Sequence, residues 1–162
     1  MMNIDQILKQ AEAQKLQTQK FFDKLKKEKP SDLDQQFHQL HDKVFQKINC
    51  LDCANCCKTT GPLFTKRDIK VISKYLKLSE TDFIAKYLRV DEDNDYVLQQ
   101  VPCVFLAADN TCSIYAYRPN ACREYPHTNQ AKMHTILNET EKNVLICPAV
   151  YEITYRLRNK MK

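Results

Sequence analysis

The sequence predicts a mainly α protein: a small helical domain with cysteine-rich, irregular loops around metal and a minor β-hairpin. Three observations carry this expectation. Apolar residues recur at three- and four-residue spacing behind recognisable helix starts. Eight cysteines fall in clusters, four of them between Cys50 and Cys57. Only one glycine, Gly61, occurs in 162 residues. That single glycine excludes the G-x-G-x-x-G and P-loop nucleotide signatures and the G-x-S-x-G nucleophile elbow. Hydrophobic residues make up 43% even with tyrosine and cysteine included, so the expected core is thin. No apolar run approaches the ~18 residues of a membrane helix. The longest, residues 101–108, already contains Pro102. The first residues carry no apolar signal stretch, and the expected location is the cytoplasm.

Residues 3–28 read as one polar helix. Ile4, Leu8, Ala11, Lys15, Thr18, Phe22 and Leu25 form a seam diluted by two polar positions. Lysines crowd its second half, and Pro30 ends it. Residues 1–30 are therefore expected to be an accessory helix that offers a surface to a protein partner, and 31–162 the cysteine-cluster domain. Ser31-Asp32-Leu33-Asp34 resembles a capping box and opens a helix bearing Leu33, Phe37, Leu40, Val44, Phe45 and Ile48. His38 and His41 lie on its more polar side and read as surface residues. Gly61-Pro62 marks a turn. Thr65-Lys66-Arg67-Asp68 caps a helix with Ile69, Ile72 and Leu76 inward, and Ser79-Glu80-Thr81-Asp82 caps another with Phe83, Tyr87 and Leu88. Residues 91–95 form an acidic turn that lacks the glycine and terminal glutamate of a calcium loop. Residues 96–98 and 101–106 read as two short strands, and 133–137 as another. From Cys112 to Pro126 the chain reads as a short helix and irregular backbone, with Tyr115, Tyr117 and Tyr125 as packing residues. Pro148 starts the last helix, and its basic end suits the negative carboxyl terminus of a helix dipole.

The cysteines point to metal. Cys50, Cys53, Cys56 and Cys57 form a C-x2-C-x2-C-C run, followed by Cys103, Cys112, Cys122 and Cys147. Cysteines two residues apart can turn both sulfurs toward one point, as a metal or cluster requires. Disulfides are disfavoured in a reducing compartment. The three-residue step Cys50, Cys53, Cys56 with a distant Cys147-Pro148 has the local form of a cubane-binding ferredoxin segment. This tips the expectation slightly from zinc toward an iron–sulfur cluster. Neighbouring side chains in turns diverge. One of Cys56 and Cys57 is therefore expected to share a centre with Cys50 and Cys53, and the other to reach a second centre. Arg118 and Arg123 flank the second cysteine block and are candidates for compensating anionic thiolates or binding a cofactor's charge. The formal charge is +5. Eight thiolates on two zinc ions would lower it by four, to about +1, a poor electrostatic match to nucleic acid except through local lysine patches.

These motifs resemble the YkgJ-type, or CxxCxxCC, cysteine cluster family. Cys50-Leu51-Asp52-Cys53-Ala54-Asn55-Cys56-Cys57 matches its signature. Pro102-Cys103-Val104-Phe105-Leu106, Cys112-Ser113-Ile114-Tyr115, Arg118-Pro119, Cys122-Arg123-Glu124-Tyr125-Pro126 and Cys147-Pro148 match its later blocks. The resemblance spans about residues 48–150. It implies a zinc- or iron-chelating domain with all eight cysteines as ligands, and it implies no settled reaction. Some longer relatives are flagellin lysine methylases. Three roles follow as expectations: a metal-binding module, an iron–sulfur redox or electron-transfer protein, and a metal-dependent enzyme.

Overall fold

The computed structural model describes residues 3–162. In chain order the elements are α1 (Ile4–Ala13), α2 (Lys15–Glu28), α3 (Leu33–Phe45), α4 (Cys50–Cys53), α5 (Asn55–Thr59), β1 (Leu63–Phe64) and α6 (Lys66–Tyr75). There follow α7 (Glu80–Tyr87), β2 (Leu88–Val90), β3 (Tyr96–Leu98), α8 (Asn120–Glu124), α9 (Leu137–Val144) and α10 (Pro148–Lys160). Single 3-10 turns occupy Tyr115–Tyr117 and Met133–Ile136. Among the described residues the protein is mainly α, with a small three-stranded antiparallel sheet. No helix among the described residues is long and apolar enough to cross a membrane.

The chain divides into two compact units, Met1–Cys53 with Pro126–Lys162, and Ala54–Tyr125. The first unit is a helical packing around α10. Its core joins Ala11, Phe22, Leu25, Phe37, Val44, Met133, Val144, Val150, Ile153 and Leu157, all essentially buried. The amino-terminal stretch is two helices, broken at Gln14, not one. Ile7, Ala11, Thr18, Phe21, Phe22 and Leu25 are buried, so residues 4–28 help build this core. Helix α3 also departs from the expected capping box. Asp32 occupies the cap position without a side-chain cap bond. Asp34 instead accepts the backbone N–H groups of Lys132 (2.7 Å) and Met133 (2.8 Å), which ties residues 132–133 to α3. Those bonds replace the strand expected at 133–137 with a 3-10 turn.

The second unit is smaller. Phe64, Ile69, Ile72, Phe83, Leu88, Leu98, Phe105 and Ile114 form its core. Helix α6 begins with a complete capping box, in which Thr65 and Asp68 bond each other's backbone N–H, as the sequence predicts. Ser79 caps α7 by accepting the Asp82 N–H. The sheet runs β1-β3-β2, with Leu63 opposite Val97 and Leu88 opposite Leu98. The hairpin partner of β3 is therefore residues 88–90, not 101–106. Asp91 builds the turn, its Oδ1 accepting from the N–H groups of Asp93 (3.0 Å) and Asp95 (2.9 Å), with Asn94 left-handed at φ 62°. Residues 101–106 make a poor strand because Pro102 has no N–H for a ladder. The Leu106 N–H folds back to the Cys103 carbonyl (3.0 Å).

Candidate metal centre

The second unit brings cysteines from four segments toward one another. Ala54, left-handed at φ 49°, leads into α5, which carries Cys56 and Cys57 with their sulfurs 4.0 Å apart. The Cys103 N–H donates to the Cys57 carbonyl at 2.7 Å, fastening the Cys103 segment to α5. The chain then doubles back. Leu106 and Cys112 form an antiparallel bridge, and the Ser113 N–H donates to the Phe105 carbonyl at 2.8 Å. Asp109 closes this loop by accepting from Thr111 N–H and Oγ1 at 3.1 and 2.6 Å. Cys112 is thereby returned to the neighbourhood of Cys103. Asp68 of the α6 capping box also accepts the Asn120 N–H at 3.2 Å, which anchors the start of α8 and so the position of Cys122.

Electrostatics shows that these sulfurs feel one another. Burial pushes the Cys122 thiol up to about 12, and Cys57, Cys103 and Cys112 add to the rise. Burial likewise raises Cys103, with Cys57 and Cys112 contributing, and raises Cys112, with Cys57 contributing. Cys57 moves the other way, to about 7, because the Cys56 thiol hydrogen-bonds it and Lys58 lies near. Burial and mutual repulsion disfavour several thiolates together, and a bound cation reverses that balance. Arg118 favours the thiolate forms of Cys112 and Cys122. Its Nε is buried without a hydrogen-bond partner among the described residues. Arg123 is exposed and its Nε donates to the Arg118 carbonyl at 3.1 Å.

The first unit carries Cys50, Cys53 and Cys147. Cys50 and Cys53 stand at the two ends of α4, a single turn, where residues three apart share a face. Asn49 precedes it, accepting the Leu51 N–H through Oδ1 at 3.1 Å. Cys147 is the N-cap of α10, with Pro148 in the first turn. Burial pushes its thiol up to about 11, the N–H groups of Val150 and Ala149 oppose the rise, and Cys50 and Cys53 add to it. His38 and His41 are not in this set. His41 Nδ1 meets Thr128 Oγ1 and His38 Nε2 meets the Gln130 carbonyl, each at 2.8 Å. Both imidazoles are half-buried pins for residues 128–130 rather than the surface groups expected. Polar-face periodicity could not show that, since the partners lie some 90 residues away.

Among the described residues, no three or more His, Cys, Asp or Glu side chains are drawn together tightly enough to grip a metal ion as they stand. The thiols form two electrostatically coupled sets, and side chains must close further to make coordination shells. Their chemistry fits soft-ligand metals: thiolates select zinc and iron–sulfur clusters over hard cations. The buried, unpaired Arg118 Nε is the kind of donor that sulfur carrying negative charge would satisfy.

The family model CxxCxxCC, described as "Putative zinc- or iron-chelating domain", matches residues 49–148. An uncharacterized protein of Methanocaldococcus jannaschii is 34% identical over 89 residues, covering 52% of this chain and 47% of the relative. The chain thus spans about half the length of that curated relative. No solved structure gives a significant match. With the cysteine signature and its later blocks inside the matched region, the chain belongs to the CxxCxxCC family of zinc- or iron-chelating domains.

Proposed function

We propose that this protein chelates metal through all eight cysteines at two centres. The observation that supports this most is the gathering of Cys57, Cys103, Cys112 and Cys122 inside residues 54–125 by the Cys103 N–H to Cys57 carbonyl bond, the Leu106–Cys112 bridge and the Asp68 anchor of Asn120. Four thiolates are the full complement of a closed zinc site or of one cluster. Cys50, Cys53 and Cys147 belong to the other centre. The three-residue cysteine step and the Cys147-Pro148 pair favour an iron–sulfur cluster there by their likeness to ferredoxin segments. A metal at either centre supplies charge neutralisation and covalent cross-linking of the surrounding backbone. The chain's own part is to present thiolates, exclude water with Phe105 and Ile114, and set Arg118 beside Cys112 and Cys122 as a counter-charge.

A closed shell of thiolates leaves no open coordination position, so a metal-binding module is the role best supported. Electron transfer is the second reading, favoured by the ferredoxin-like spacing of the first set. Elemental analysis with acid-labile sulfide on protein purified without oxygen tests both. Iron with matching sulfide supports a cluster, and zinc without sulfide supports two structural sites. Protein that holds no metal after anaerobic purification and none after reconstitution would overturn the proposal.

A further inference from the structure

The sequence predicts Tyr115 and Tyr117 as packing residues, but they are 60% and 41% exposed. Burying a tyrosine ring is one of the larger gains open to a small unit, so leaving several outside needs a reason. Tyr117 stacks on Tyr75, itself 46% exposed, with ring centroids 4.3 Å apart and planes 23° from parallel. The Arg118 guanidinium lies 3.8 Å from the centre of the Tyr115 ring. These flat faces stand at the edge of α6. That helix turns Ile69, Ile72 and Ser73 inward. Its outward residues are Lys66, Arg67, Lys70, Lys74 and Val71. Arg67, Lys70 and Lys74 follow one another at three- and four-residue spacing, which sets them along one side of a helix. Asp68, the one acid of α6, is buried in the capping box and taken by Asn120. The other acids of this unit gather mainly in the Asp91–Asp95 turn and the start of α7.

We infer that the basic outer side of α6 together with the Tyr75, Tyr115 and Tyr117 rings is a binding surface for single-stranded nucleic acid. The partner follows from charge complementarity and ring geometry. A strand with unstacked bases offers phosphates to a row of lysines and π-faces to exposed rings, and those two contacts give sequence-tolerant binding. A duplex keeps its bases stacked on each other and can use only the charge. The near-neutral charge expected of the metal-loaded chain does not oppose this, because the positive side chains are segregated on one helix side.

The test is fluorescence anisotropy of the metal-loaded protein with a labelled short oligouridylate, at roughly 50 and 200 mM salt. The single strand should bind, more weakly at the higher salt, and about tenfold more tightly than a duplex of equal length. Tyr117→Ala and Tyr75→Ala should each weaken binding about tenfold, Tyr117→Phe should not, and all three should keep the wild-type metal content. Lys70→Glu with Lys74→Glu should weaken binding and flatten the salt dependence. Failure to bind the single strand would overturn the inference. So would equal binding of duplex, or equal competition by polyglutamate with Tyr117→Ala indifferent, which would point to an acidic protein instead.

Discussion

The two units reach stability by different means. In the first, α1, α2, α3, α9 and α10 bring large side chains together, and Phe22, Phe37, Met133, Ile153 and Leu157 are wholly buried. In the second, the helical and sheet part supplies six of the eight buried apolar residues of the core. Residues 99–125 contribute only Phe105 and Ile114 to that core, and they carry three cysteines. Where the first unit has hydrophobic contacts between long helices, this segment has short backbone bonds and partly buried thiols. The contrast teaches that this cysteine-bearing segment is the part least supported by apolar burial, so a bound metal should count most there. A structural zinc site in small peptides contributes on the order of 10 kcal/mol at neutral pH, comparable with the whole stability of a typical domain.

The largest expected effect is metal removal. Strong chelation under reducing conditions should abolish hydrogen-exchange protection across residues 99–125. Amides of α3 and α10 should stay protected. Equal loss of protection in both regions would break the comparison. Next is Phe37→Ala in the first unit, which should cost about 3–5 kcal/mol, as deletion of a buried phenylalanine does. Denaturant unfolding should report that loss with metal content unchanged, and a fall in metal per chain would show that the two means of stabilisation are not separable.

The smallest effect concerns pH. Burial lowers the His41 pKa, an effect Asp42 partly offsets. The folded protein then binds fewer protons at this site than the unfolded chain does. Its contribution to stability is complete above the unfolded value of about 6.5. It falls as pH drops through that value toward the lowered folded one. His41→Gln should flatten this part of the stability profile. An unchanged slope would mean that the pin to Thr128 carries no proton linkage.

Much of this was legible in the sequence. Helix starts with local chemistry are legible where the structure has them: the Thr65–Asp68 box, the Ser79 cap and Pro148 at the head of α10 all act within a few residues. What failed was long-range. The Ser31–Asp34 motif looked like a cap, yet Asp34 serves Lys132 and Met133, about a hundred positions on. Residues 3–28 read as one polar accessory helix, because a seam count takes no notice of which neighbours cover it. Residues 101–106 have the composition of a strand, but Pro102 and the bond from Leu106 to Cys103 turn them into a loop. The cysteines themselves were conspicuous by spacing. The proposed partition was not, because it depends on the Cys103 to Cys57 backbone bond and on the Asp68 anchor under α8, neither of which leaves a local pattern.

The central claim, two centres served by different cysteines, is tested most directly by comparing Cys122→Ser with Cys147→Ser. Both proteins would be purified without oxygen and examined for metal, sulfide and optical spectrum beside the wild type. The account predicts that each variant loses part of the metal, that the residual spectra differ, and that the double variant loses both contributions. Identical residual metal and identical spectra in the two single variants would contradict it.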